Sequence, residues 1–401
     1  MKAALITEKE TISFLDFDDP EPESDQVVVD IALCGICGTD IHGFNTPGPM
    51  RASICGHEWT GTVSKTGTDV ARIKEGDRVV VAVPPSCGSC VSCQAGQMAK
   101  CETVLEAVVA AGRFDTPHGG FAPRIAVNHW RTVIADSRLS DVQAAQIEPT
   151  TSCFHAVRST PPALGDVVVI QGAGPIGLTT LQWARAAGAQ TLISVEPVPL
   201  RRDVASGIGA DYTVEAGESA EELIKEITSG LGADVVYECA GVPPALQSAV
   251  DLARRGGMVS LIGLAASDAL TKPGEWLRKE INVSASLGYT HEEFEMSMSY
   301  VADGKINLDA IHTGTVPLDD IGKAFSDLSS GVSGELKILV DPRYARSILQ
   351  FSIQRLNQLV RVLRKPTIPP LILQRLLLLL LRILLRKIRV QLLICSCYSH
   401  P

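Results

Sequence analysis

The sequence contains no acidic residue after position 342. Residues 343–401 carry 11 Lys plus Arg and neither Asp nor Glu. Residues 1–342 therefore hold 25 basic against 45 acidic residues, a net charge of −20 inside a whole-chain charge of −9. A body so acidic repels a phosphate backbone, which excludes nucleic acid as its partner. An apolar run of eighteen is lacking even in the Leu/Arg-rich segment 371–394, where five Lys or Arg intervene, so a spanning helix is not expected there. Met1 to Leu5 begin no apolar stretch with a small-residue cleavage site, so nothing marks the chain for secretion. The expected compartment is a reducing cytoplasm, in which the 11 cysteines serve as metal ligands or buried thiols rather than bridges. No internal repeat of useful period is visible. What is present, 401 residues with 45% apolar and 20% charged content, suffices for two or three domains with real cores and excludes a disordered or fibrous chain.

Up to about residue 155 the chain reads as short, valine-rich strands with Gly and Pro punctuation, such as 26–33, 61–64 and 77–83, which predicts an antiparallel, barrel-like β domain. From Gly165 the texture changes. A valine-rich run at 166–171 leads into a glycine cluster and a helical stretch at 178–187, then apolar runs at 191–195, 235–238 and 258–262 separated by helical segments. Strands alternating with helices predict a parallel, doubly wound sheet. The chain is thus read as α/β, with a β domain over 1–155, a nucleotide-binding domain over 156–287, a return to the first domain over 288–342 and an atypical extension over 343–401. Arg375, Arg382, Arg386 and Arg389 share one helical face of that extension, which reads either as an interfacial amphipathic helix or as an appendage foreign to the fold. Membrane association is expected only in the first case.

Cys87, Cys90, Cys93 and Cys101 follow C-x2-C-x2-C-x7-C. Four thiolates so close together can enclose one tetrahedral Zn²⁺ with no position left for water, a structural site; an iron–sulfur cluster uses the same four ligands. Cys37, His57 and Glu58 offer a different set. One thiol, one imidazole and one carboxylate suit Zn²⁺ and leave the fourth position to water or substrate, as Lewis-acid catalysis requires.

Gly172, Gly174 and Gly177, with Pro175 and Ile176 between them, fit G-x-G-x-x-G. The motif follows a valine-rich strand and opens a helix, the context in which it binds a dinucleotide pyrophosphate. Glu196 stands nineteen residues after Gly177 at the end of the next strand, where a carboxylate accepts hydrogen bonds from the adenosine ribose and repels a 2′-phosphate. NAD is favoured over NADP on that ground. Arg201 and Arg202 follow, and they could flank an adenine or accommodate a phosphate.

The strings GICGTDIH at 35–42, GHEWTG at 56–61, GDRVVV at 76–81, the cysteine knot and GAGPIG at 172–177 come in the order in which the zinc-containing medium-chain alcohol and polyol dehydrogenases carry them. The chain resembles that family over residues 1–342. It is most similar to the butanediol, sorbitol and threonine dehydrogenase branch, through Glu148-Pro149, Glu196-Pro197 with Arg201-Arg202, and YECAGVP at 237–243. The resemblance implies Cys37, His57 and Glu58 as ligands of a catalytic zinc, with Glu148 contacting the bound water or replacing it. It implies Thr39 as the hydroxyl that takes the alcohol proton and His42 as the histidine that passes it to solvent. Asp40 reads as an orienting partner of the ligands or as a turn cap. Arg201 matches the basic residue that flanks the adenine. Gly38 departs from relatives that carry a basic residue there, and the segment between His42 and His57, which shapes the substrate entrance in relatives, is short. Two zinc ions per chain, NAD, a secondary alcohol, vicinal diol or polyol as substrate and a homodimer or homotetramer are what the family implies. The rival readings are an NADPH-dependent enone or quinone reductase, which would need no zinc, and a non-catalytic dinucleotide-binding structural protein.

Overall fold

The computed structural model describes residues 1–46, 55–83, 86–102, 119–331 and 334–343. The extension beyond residue 343, with both readings of it, lies outside the described residues, as does most of the segment between His42 and His57.

The first strands are β1 (Lys2–Glu8), β2 (Thr11–Asp16), β3 (Gln26–Gly35), β4 (Glu58–Thr66), β5 (Arg78–Val81), β6 (Arg124–Asn128) and β7 (Thr132–Ile134). β1 and β2 pair antiparallel as a two-stranded sheet. β3 is the spine of a larger sheet, pairing antiparallel with both β4 and β6, while β5 joins β4 to β7. Its run of β-branched residues suits this place, since Val27, Val28, Val29 and Ile31 are all buried. Trp59, Phe44, Phe121 and Phe325 fill the core behind the sheet, with the Phe44 and Phe325 rings 5.3 Å apart and the Phe121 and Phe325 rings 5.8 Å apart.

The middle of the chain supplies β8 (Val167–Gln171), β9 (Thr191–Val195), β10 (Tyr212–Val214), β11 (Ala233–Glu238), β12 (Ala253–Leu261) and β13 (Asn282–Ala285). They form one six-stranded sheet in the order β10-β9-β8-β11-β12-β13, with every neighbouring pair parallel. Helices Pro175–Ala186, Pro199–Gly207, Pro243–Leu252 and Pro273–Lys279 each begin on a proline, whose missing N–H costs nothing in a first turn. The strand order reverses between β8 and β11, and a crevice opens beyond the C-terminal ends of strands at such a point. The doubly wound parallel sheet and the mainly antiparallel sheet predicted from the sequence are both present.

β14 (His312–Pro317) and β15 (Lys337–Asp341) then return to the first sheet. β15 pairs with β3 through Leu339 opposite Gly35 and Val340 opposite Cys34, which completes a seven-stranded sheet. The late strand is thereby laid against the segment that leads into Cys37.

Helix Ile147–Ser159 runs between the two sheets' territories and is fastened at both ends. Near its start the Tyr289 hydroxyl donates to Glu148 Oε1 at 3.1 Å. Two turns later His155 Nδ1 lies 2.8 Å from Glu293 Oε2, in helix His291–Ala302. Burial raises the Glu293 carboxyl, but His155 and the Thr290 amide outweigh it and hold the carboxyl below its ordinary range. A folded pKa below the unfolded one contributes stability above the ordinary carboxylate range and loses it as pH falls through that range. Unfolding free energy is therefore expected to drop on acidification below about pH 4.5. Glu293→Ala should cost about 2–3 kcal/mol at neutral pH and flatten that drop; an unchanged urea midpoint at pH 7 would contradict the clamp.

Candidate active site

Cys37 ends the loop after β3, and helix Gly38–Asn45 begins immediately after it. Asp40, in the first turn, reaches back to the Cys37 N–H at 2.9 Å and receives the Gly56 N–H at 3.1 Å. One fully buried carboxylate thus ties together the two loops that carry Cys37 and His57. Its second role is electrostatic: Asp40 Oδ1 lies 3.9 Å from His57 Nδ1. Burial pushes the Asp40 carboxyl up to about 6, against the pull of His57 and of the two amides. For His57, burial works against a charged imidazole, yet the Cys37 thiol, Asp40 and Glu148 prevail and raise its pKa well above the ordinary value.

Glu58 opens β4 and is wholly buried. Lys337, at the start of β15 and 3% exposed, forms an ion pair with Glu58 Oε2 and donates to the Ile36 carbonyl at 3.0 Å. Glu58 Oε1 is buried without a hydrogen-bond partner. The ligand atoms of Cys37, His57 and Glu58 all lie within 4.8 Å of one another. A thiol, an imidazole and a carboxylate gathered in this way, with one buried carboxylate oxygen left over, fit a divalent cation of zinc's preferences.

Thr39 Oγ1 stands 3.5 Å from His57 Nε2. His42 lies half-buried one turn further along the same helix, and no hydrogen bond joins the two. Glu148 lies close enough to His57, Glu58 and Lys337 for all three to act on its carboxyl, which burial raises. The helix that carries Glu148 also touches the glycine loop, where the Cys153 thiol donates to the Ile176 carbonyl at 3.5 Å.

Cys87, Cys90, Cys93 and Cys101 bring their four sulfurs within 4.8 Å of one another, and all four are unbridged. Burial, with the neighbouring thiols adding to it, pushes the Cys93 thiol up to about 12. Four thiols so crowded cannot ionise together unless a cation compensates them, so the donor set fits a tetrahedral Zn²⁺.

At the other crevice, Gly172 has a φ of +94°, open to glycine at no cost, and a Cβ there would meet the Ala240 Cα at 2.9 Å. A Cβ on Gly177 would run into the Gly172 carbonyl. A Cβ on Gly174 would meet nothing within 4 Å, which leaves space beside the first amides of helix Pro175–Ala186 for a pyrophosphate. Glu196 is 3% exposed and accepts from the Ala173 N–H at 2.7 Å and the Val198 N–H at 2.9 Å. Arg202 donates to the carbonyls of Glu196 and Pro197, and Arg201 to the Glu335 carbonyl at 3.3 Å.

Two residues at this site escaped the reading of the sequence. Lys337 had a signal, a lysine inside the apolar strand KILV. Tyr289 had none, because 141 residues separate it from Glu148.

A parallel nucleotide-binding sheet beside a β domain that gathers two metal-competent clusters defines a zinc-binding dehydrogenase. Two family models agree, one described as alcohol dehydrogenase GroES-like domain over residues 23–137 and one as zinc-binding dehydrogenase over residues 175–303. Sorbitol dehydrogenase of Halalkalibacterium halodurans is 31% identical over 85% of this chain and 99% of its own. D-arabitol-phosphate dehydrogenase of Enterococcus avium is 30% identical over 82% and 94% respectively. Among solved structures, the 2R,3R-butanediol dehydrogenase of Bacillus subtilis superposes with a TM-score of 0.73 at 29% identity, over 85% of this chain and 99% of that one. The chain belongs to the zinc-containing medium-chain alcohol and polyol dehydrogenases, NAD(P)-dependent oxidoreductases that act on CH–OH groups. Among the described residues no helix is long and apolar enough to cross a membrane.

Metal analysis of the purified chain should return two zinc ions. Cys93→Ser should return one and lower the melting temperature. A wild-type value of zero, or full occupancy in Cys93→Ser, would contradict the assignment.

Proposed function

We propose that this chain oxidises a secondary hydroxyl of a diol or polyol to a ketone, reversibly, with NAD as hydride acceptor. The observation that carries the reading is the convergence of Cys37, His57 and Glu58 within 4.8 Å, beside the helix that carries Glu148 and touches the glycine loop. In this reading Cys37, His57 and Glu58 hold the catalytic cation, Cys87, Cys90, Cys93 and Cys101 hold the structural one, and residues 1–155 with 288–342 form the catalytic domain. Bound zinc supplies Lewis acidity that lowers the pKa of the substrate hydroxyl, and nicotinamide supplies the hydride acceptor.

The chain's own groups do the rest. Thr39 accepts the hydroxyl proton, and His42 passes it toward solvent. Glu148, fixed by Tyr289, contacts the water beside the cation or takes its place. Asp40 holds the Cys37 and His57 loops in register. Lys337 balances the buried Glu58 charge. Gly172, Gly174 and Gly177, with Pro175 and Ile176, seat the pyrophosphate; Glu196 receives the adenosine ribose on the second lone pairs of its oxygens; Arg201 flanks the adenine.

The preference for NAD is supported by Glu196 and by the engagement of Arg202. Arg202 is engaged with two carbonyls and so is not poised as a fork for a 2′-phosphate, while Arg201 spends one terminal nitrogen on the Glu335 carbonyl and keeps its Nε unpartnered. The names of the relatives, sorbitol and D-arabitol-phosphate dehydrogenase, support a polyol as substrate. Assembly as a dimer or tetramer and residence in the cytoplasm belong to the same proposal. Enone reduction needs no cation, and the gathered donor set speaks against it.

A panel of diols, polyols and simple secondary alcohols, each with NAD and NADP and followed by absorbance of the reduced nucleotide, tests the reading. A polyol with NAD should be the best pair, and Cys37→Ser should lower kcat/KM at least about a thousandfold. Retention of activity in Cys37→Ser, or oxidation of no alcohol at all, would overturn it.

A further inference from the structure

Arg131 closes the single turn His129–Arg131 that links β6 to β7. Its carbonyl accepts the Ala82 N–H at 2.9 Å, and β7 pairs with β5 through Thr132 opposite Val81. The residue is therefore fixed beside the end of β5. One residue further on, the Val83 amide lies close enough to act on the Tyr289 hydroxyl, the same hydroxyl that donates to Glu148. The Arg131 side chain thus lies within electrostatic reach of both Tyr289 and Glu148.

Its guanidinium is nevertheless uncommitted. Among the described residues it makes no hydrogen bond and no ion pair, and its Nε is buried without a partner. Of the other cationic groups acting on Glu148, His57 belongs to the metal-competent cluster and Lys337 is already engaged with Glu58 and the Ile36 carbonyl. The residue as a whole is half-buried, but an Nε–H buried without an acceptor is costly, because that donor has left water for nothing. An acceptor arriving at this nitrogen relieves that cost. The planar fork of an arginine matches a carboxylate or a phosphate with two parallel hydrogen bonds. In a body with a net charge of −20, an anionic substrate needs a local cation of this kind to be held at all.

We propose that Arg131 is the residue that selects an anionic polyol: the substrate carries a carboxylate or a phosphate, and Arg131 binds that group while Glu148 and Tyr289 stand at the reacting hydroxyl. This rests on the polyol reading above and narrows it to one substrate class.

Three probes test it: sorbitol as the neutral polyol, gluconate as the carboxylate and sorbitol 6-phosphate as the phosphate. With the wild-type holoenzyme one of the two anions should exceed sorbitol in kcat/KM by tenfold or more. Arg131→Gln should shrink that anion-to-neutral ratio roughly ten- to hundredfold, mainly through KM, and Arg131→Lys should restore part of it. The contrast between gluconate and sorbitol 6-phosphate identifies the anion. Calorimetric titration of the NADH-loaded protein with the favoured anion gives a readout independent of turnover, in which Arg131→Gln should weaken binding by a similar factor while zinc content and the melting temperature show the variant folded. Equal or better use of sorbitol by the wild type, or an equal loss on all three probes in Arg131→Gln, overturns this inference and leaves the polyol reading standing. Oxidation of none of the three with either nucleotide overturns the polyol reading and this inference with it.

Discussion

The arrangement turns on a carboxylate that has been taken out of water. Glu58 is wholly buried, and isolating its charge would be prohibitive without compensation. Lys337 meets one oxygen, the other has no hydrogen-bond partner, and the carboxylate lies within 4.8 Å of the Cys37 and His57 ligand atoms. A buried carboxylate with one oxygen unpaired is a position where a divalent cation adds stability as well as reactivity. The sheet is built to make this pair: β4 carries Glu58 beside β3, and β15 arrives on the other side of β3 with Lys337 at its head. Returning the last strands to the first sheet is thus the step that completes the electrostatics of the site.

The same economy joins the metal cluster to the nucleotide crevice. Helix Ile147–Ser159 presents Glu148 toward His57, touches Ile176 of the glycine loop through Cys153, and is bonded to helix Pro175–Ala186 where Trp183 Nε1 donates to the Thr150 carbonyl at 3.1 Å. Chemistry that moves a proton one way and a hydride the other needs both partners held in one geometry. A single helix clamped by Tyr289 and Glu293 supplies that rigidity.

What the sequence made legible was local. The glycine motif and the cysteine knot each lie within fifteen residues, and β9 runs over Thr191–Val195 as its apolar run suggests, because a fully buried parallel strand leaves a continuous signature. β12 was only half visible: it begins at Ala253 rather than near Met258, since Gly256 and Gly257 interrupt the apolar pattern while the backbone still pairs across a bulge. Ligand chemistry suggested Cys37, His57 and Glu58 as a set, and the resemblance to a family added Glu148, which spacing alone could not have joined to them. The partners of those residues were hidden entirely. Lys337 reaches a carbonyl 301 residues away, and Tyr289 reaches Glu148 across 141, so only the closed sheet and the packed helices bring them into contact. Arg131 was equally silent, because its meaning lies in the bonds it does not make.

The central claim is that one thiolate, one imidazole and one carboxylate grip the reactive cation. X-ray absorption at the zinc edge of a Cys93→Ser protein that has lost its structural ion examines that cluster alone. The account predicts one sulfur near 2.3 Å with nitrogen and oxygen ligands near about 2.0–2.1 Å; a shell of four sulfurs, or no bound zinc, would contradict it.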